Sequence, residues 1–199
     1  MLEGLLWCIA TLLATGVAAL ALARRPRIAT SLVYTLSLGV SLVGLLAAGA
    51  ALLAPARFGG TLSLPVGVPW LGAHFELDAL SAFFLVVINL GGAAASLFGL
   101  GYGRHEEAPG RVLPFFPAFL AGMNLVLIAA DAFSFLFAWE FMSLSSWALV
   151  MAHHRRPGNA AAGYLYLLMA SAAISTRFMP ARNAGKKGST RPGASSWRP

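Results

Sequence analysis

Residues 132–152 read AFSFLFAWEFMSLSSWALVMA, an apolar stretch of 21 residues whose one charge, Glu140, stands at the ninth position. A helix rises about 1.5 Å per residue, so crossing a hydrocarbon core of about 30 Å takes about 20 apolar residues. The stretch is long enough to cross, and Glu140 then lies about 12 Å from its start, near the bilayer middle. A carboxylate at that depth is disfavoured by roughly 2.5–3.5 kcal/mol on insertion scales. Packing alone does not call for it, because Gln or Leu would fit at a smaller penalty. Burial raises a carboxyl pKa and a nearby cation lowers it. A group held between those influences can load and release a proton. Glu140 is therefore the candidate proton-transfer residue; the alternative is a structural carboxyl paired to a neighbour.

The composition of the whole chain agrees with a membrane setting. Of its 199 residues, 58% are apolar and 11% charged, against about 25% charged in a soluble domain. Mean hydropathy is +0.75. Besides 132–152, the runs 5–23, 30–54, 79–102 and 113–130 are of spanning or near-spanning length, and 160–175 is a curtailed sixth. The expected fold is an all-α polytopic transmembrane bundle of five full spans and a partial sixth, occupying residues 1–176. The first run is not a convincing signal peptide: Glu3 precedes it and its bases follow it.

The net charge of +7 is unevenly placed. Residues 1–176 hold eight Arg against seven acids, whereas 177–199 hold six bases and no acid. No basic run interleaved with aromatics occurs in the body, which argues against a nucleic-acid partner. Arg24, Arg25 and Arg27, then Arg104 and Arg111, then Arg155 and Arg156 occupy alternate loops, and Arg57 stands alone on the other side. By the positive-inside bias the N-terminus lies outside, in a multi-pass protein of the inner (plasma) membrane.

In the 55–78 loop, Thr61-Leu62-Ser63-Leu64 alternates between Gly59-Gly60 and Pro65. A short extracytoplasmic β-hairpin is expected there, with Trp70 at the headgroup level. Gly91, Ala95, Gly99 and Gly103, four residues apart, form a small-residue stripe suited to close packing within the chain. Asn89 and Asn124 lie within apolar runs and read as interhelical hydrogen-bond donors rather than ligands. The lone cysteine, Cys8, reads as a buried, inert thiol.

Ser143 and Trp147 follow Glu140 at helical spacing and share its face, either bonding the carboxyl or packing beside it. His153 and His154 stand at the cytoplasmic end of the same run. They could feed protons, since His titrates near neutrality, or be ordinary interface residues. No dinucleotide fingerprint, phosphate loop, paired-cysteine or zinc motif occurs, so no cofactor is expected in this chain.

Residues 135–146, FLFAWEFMSLSS, resemble the Trp-Glu helix of the proton-translocating antiporter-like subunits. These are the large membrane subunits of respiratory complex I, of hydrogenase-4 and formate hydrogenlyase, and of multisubunit Na⁺/H⁺ antiporters. Residues 75–84, FELDALSAFF, look like that family's third-helix entry, and 124–131 fit as well. The hydrogenase-4 and formate hydrogenlyase branch is most similar, above all over 142–147, and the likeness covers roughly residues 1–172.

The resemblance implies that Glu140 is the proton-path acid of the fifth helix, with Trp139, Ser143, His153 and His154 as possible support. It implies a lysine partner further on, in a protein of roughly fourteen helices with two inverted repeats. It also implies a non-redox membrane subunit of an oxidoreductase complex. The partners would be other membrane and peripheral subunits of a respiratory or hydrogenase complex, and these would carry the redox cofactors. A subunit of a multisubunit cation/proton antiporter is the alternative, and a truncated structural or non-functional membrane fragment is another.

The likeness stops at about Ala173, where the family continues apolar and this chain reads Ser175-Thr176-Arg177-Phe178-Met179-Pro180. Arg, Pro, Gly, Ala and Ser supply 16 of the last 23 residues. The segment 177–199 is expected to be a disordered basic tail arising from an out-of-frame or truncated ending; its rival is a basic tail lying on anionic lipid.

Overall fold

The structure, a computed structural model, describes residues 1–65, 72–102, 112–153 and 159–178. Its elements in chain order are α1 (Leu2–Ala21), α2 (Pro26–Leu53), a single turn α3 (Pro55–Phe58), β1 (Gly60–Leu64), β2 (Ala73–Leu77), α4 (Ala79–Tyr102), α5 (Phe115–Ile128), α6 (Ala132–Val150), a 3₁₀ turn (Met151–His153) and α7 (Asn159–Phe178). The expected mostly helical architecture is present, together with the small sheet. Among the described residues, four helices, α1, α2, α4 and α6, are long and apolar enough to cross a bilayer. Trp70, Gly103, Arg104, Arg111, His154, Arg155, Arg156 and residues 179–199 lie outside the described residues.

Local chemistry sets the helix boundaries. Pro26 opens α2, where its missing N–H and fixed φ suit the first turn. Asp78 caps α4, its carboxylate accepting the Ser81 N–H at 2.7 Å. That bond holds the Asp78 carboxyl below its ordinary pKa. The apolar run 113–130 does not become one helix across its length. Pro114 supplies the N-cap of α5, and Ala129 is already extended. Ala129 bridges Phe75 of the hairpin instead. The resulting helix of 14 residues is about 21 Å long, short of a straight crossing. At the other end of the chain, α7 runs to Phe178, beyond the limit expected for the sixth run.

The helices α1, α2, α4 and α5 form a closed ring of neighbours, α6 packs on α5, and α7 packs on α6. Leu5, Leu12, Leu85 and Ile128 are nearly inaccessible at the centre of the ring, close to the hairpin residues Phe75 and Leu77. Tyr34 and Phe116 close the far end, ring centroids 5.4 Å apart. The strands are antiparallel, with Leu62 opposite Phe75 and Leu64 opposite Ala73. The expected hairpin is thus realised, and residues 75–77 of the family-like third-helix entry belong to its second strand.

Beside this apolar core the interior also holds small polar side chains, while many large apolar ones face outward. Ser37, Ser41, Asn89, Ser96 and Asn124 are buried, while Leu46, Leu53, Phe98 and Leu168 are exposed. Lipid is as apolar as leucine, so close approach of backbones and polar bonds, rather than burial of greasy faces, hold such a bundle together. Helices α2 and α4 meet through Gly44 against Asn89, Gly92 against Ser41 and Gly99 against Tyr34. The packing face of α4 is therefore Asn89, Gly92, Ser96 and Gly99, which shares Gly99 with the four-residue stripe. Gly91 has open space around it and Ala95 is exposed. A four-residue spacing drifts around a helix of 3.6 residues per turn, so the stripe starts off the interface and meets it at Gly99.

Candidate functional site

The candidate site is built on α6, and Asp131 fixes where that helix starts. Its Oδ1 accepts the Ser134 N–H at 2.8 Å, an N-cap bond. Its Oδ2 accepts the His74 N–H from β2 at 2.9 Å. The half-exposed His74 ring brings Nδ1 to 3.8 Å from the same oxygen. The Ala130 N–H completes the link by donating to the His74 carbonyl at 2.9 Å. Desolvation pushes the Asp131 carboxyl upward, but the Ser134 hydroxyl and N–H, followed by the His74 and Phe133 N–H groups, outweigh it and hold the pKa at about 2. The Ser134 hydroxyl acts by proximity: it makes no hydrogen bond of good geometry. One carboxylate therefore joins the hairpin to the helix that carries Glu140.

Two faces of α6 are occupied by neighbours. Toward α5, Ala138 is wholly buried. Gly122 lets the backbones close in, since a Cβ there would lie 2.9 Å from Met142 Cα. Toward α7, the Trp147 and Tyr164 rings stand 6.5 Å apart. Tyr166 Oη donates to Ser146 Oγ at 3.1 Å on the same side.

Glu140 is half-buried, nine residues into α6, and shares the Ser143 and Trp147 face. Ser143 is buried at 4% exposure. Among the described residues the buried Trp147 indole N–H has no hydrogen-bond partner, so it does not bond the acid. Among the described residues, no hydrogen bond or ion pair engages the Glu140 carboxyl. Trp139 leans on Phe135 one turn earlier, ring centroids 5.8 Å apart. His153 ends the 3₁₀ turn, 13 residues beyond Glu140. At about 1.5 Å per residue that is roughly 20 Å of helix rise.

The second polar centre is the pair Asn89 and Asn124, expected as interhelical donors and found bonded to each other at 2.8 Å. Their remaining N–H groups return to the Leu85 and Leu120 carbonyls of their own helices. The two amides border a cavity of about 10 Å³, alongside Cys8 and Gly44. That space holds about one water molecule.

Sequence reasoning missed the Asp131–His74 link. A local signal existed for the cap, an Asp just before an apolar run. Nothing local announced a strand 57 residues away as the second partner.

The chain was compared with known proteins. An uncharacterized protein of Mycobacterium tuberculosis is 38% identical over 145 residues, covering 71% of this chain and 21% of that protein. Hydrogenase-4 component B of Escherichia coli is 39% identical over 99 residues, 49% of this chain and 15% of the component. The chain is homologous, over part of its length, to the antiporter-like membrane subunits. NADH-quinone oxidoreductase subunit L of Buchnera aphidicola, 36% identical over 77 residues, covers 38% of this chain and 12% of that protein. No family model matches. The chain spans about a fifth or less of the length of the curated relatives it matches. Its apolar helices and these membrane-subunit homologues agree on a membrane protein related to subunits of respiratory-type complexes.

Proposed function

We propose that this chain is the N-terminal part of a proton-translocating membrane subunit, in a complex of the hydrogenase-4, formate hydrogenlyase or NADH-quinone oxidoreductase kind. The observation that carries the reading is Glu140, a carboxyl in the middle of an otherwise uncharged helix of 19 residues. An ionisable group at that depth persists when it serves a path, because an apolar residue would be more stable there. The described part of the chain presents its carboxyl half-buried, with neighbours packed on both sides of the helix.

In this mechanism Glu140 is the carrier. It takes a proton when its surroundings favour the neutral acid and gives it up when a cation approaches or water enters. Trp139, Ser143 and Trp147 shape its surroundings. His153 and His154 are the candidate proton feeders at the end of the same run. The redox reaction and its cofactors belong to partner subunits. The arginine distribution favours an inner-membrane protein with its N-terminus outside.

The test is proton uptake by vesicles containing the assembled complex, driven by its redox substrate, with and without sodium. Redox-driven uptake that does not need sodium is expected. Exchange of sodium for protons without a redox substrate would instead favour a cation/proton antiporter.

A further inference from the structure

The seam between α2 and α4 keeps one antiparallel register over about three turns. Gly44 of α2 meets Asn89 of α4, Ser41 meets Gly92, and Tyr34 meets Gly99. Each step back along α2 is matched by an equal step forward along α4. The same register sets Ser37 opposite Ser96, between the last two of these contacts. Both serines are wholly buried, at 0% exposure. Among the described residues neither hydroxyl has a hydrogen-bond partner. A hydroxyl inside a helix commonly bonds the carbonyl four residues back. Thr11, Thr15, Thr30 and Ser145 do so at 2.7–2.8 Å. Ser37 and Ser96 do not, so their hydroxyls are turned from their own helix carbonyls into the seam.

A hydroxyl is both donor and acceptor, and burying one without a partner is unfavourable. A buried water takes two to four polar partners, and two facing hydroxyls supply the minimum. Two O–H···O bonds of about 2.8 Å through one water join hydroxyls about 4.5–5.5 Å apart. At the other three levels of the seam a side chain of one helix closes on a glycine of the other. At this level two short side chains face each other, and neither closes on a glycine. We propose that Ser37 and Ser96 bind one water molecule between them, which joins α2 to α4. The site lies about 10 Å along α4 from Asn89 and the small space beside it. It involves no residue of α6 and is independent of any role of Glu140. Water then links α2 to α4 as the Asn89–Asn124 bond links α4 to α5.

The test uses the 199-residue chain, in lipid bilayers for spectroscopy and in mixed micelles for unfolding. In solid-state NMR, polarisation transferred from water should reach the β-carbons of Ser37 and Ser96, and the transfer to Ser96 should be lost in Ser37→Ala. Ser37→Ala and Ser96→Ala should each lower Tm by about 2–4 °C, because each leaves the other hydroxyl buried without a partner. The double variant Ser37→Ala/Ser96→Ala removes both hydroxyls and should return to within about 1 °C of the parent, or above it. No transfer from water to the two serines in the parent would overturn the proposal, and that is the outcome if the hydroxyls bond each other directly. Additive Tm shifts in the double variant would overturn it as well, since they mark two serines that act separately.

Discussion

The Asn89 amide of α4 donates to Asn124 Oδ1 of α5 at 2.8 Å, with both side chains at least nine-tenths buried. Replacing one Asn by Leu leaves the other amide without its partner in an apolar interior. The expected loss is about 1–2 kcal/mol of stability for either single variant. The double variant Asn89→Leu/Asn124→Leu should lose less than the sum, with a coupling of about 0.6–1.7 kcal/mol. Unfolding in mixed micelles measures all three. Strict additivity would show that the bond contributes nothing.

Close helix approach predicts a second pattern. A Cβ at Gly44 would lie 2.6 Å from Asn89 Oδ1, and one at Gly122 would lie 2.9 Å from the Met142 backbone. Gly44→Ala and Gly122→Ala should each destabilise by about 1–3 kcal/mol through overpacking. Gly91 has nothing within 4 Å, so Gly91→Ala should be neutral or stabilising by up to about 1 kcal/mol, because Ala favours the helix. Thermal unfolding of the three variants checks the order. Equal effects would mean that the α2–α4 and α5–α6 seams are looser than described.

Asp131 predicts an acid limit. Its pKa is depressed from 3.8 to about 2 in the folded chain. A depressed carboxyl contributes stability that is fully present above its unfolded pKa and is lost as pH falls through the folded one. The link between hairpin and α6 should therefore hold above about pH 4 and weaken toward pH 2. Asp131→Ala should remove the same contribution at neutral pH, about 0.5–2 kcal/mol for a lost N-cap. Hydrogen exchange at the Ser134 and His74 amides reports it. Protection unchanged between pH 5 and pH 2 would refute the assignment.

Much of this fold was legible because lipid imposes a simple rule on sequence. The run 79–102 is bounded by Asp78 and uninterrupted, and α4 fills it. The alternation at Thr61–Leu64 has no use in a helix, and it became β1. Asn89 and Asn124 could be read as partners because isolated amides in apolar runs need them. The shortened α5 was not legible: Ala129 and Ala130 are as apolar as the helix they leave, and a strand distant in sequence pulls them out. The packing face of α4 was misplaced for a similar reason. In a helix rich in Gly and Ala, the phase depends on where Tyr34, Ser41 and Gly44 press against it. The place of Glu140 was readable because charge is rare in these helices. The groups around its carboxyl depend on how neighbouring helices pack, which no local pattern encodes.

The central claim is that Glu140 carries protons. The most direct measurement is the number of protons moved per electron in vesicles holding the assembled complex, comparing Glu140→Gln and Glu140→Asp with the parent. Gln is nearly isosteric and cannot ionise, so Glu140→Gln should assemble and lose translocation by an order of magnitude or more, a barrier of at least about 1.4 kcal/mol. Glu140→Asp should retain a measurable part. A Glu140→Gln complex that assembles and moves as many protons per electron as the parent would contradict the account.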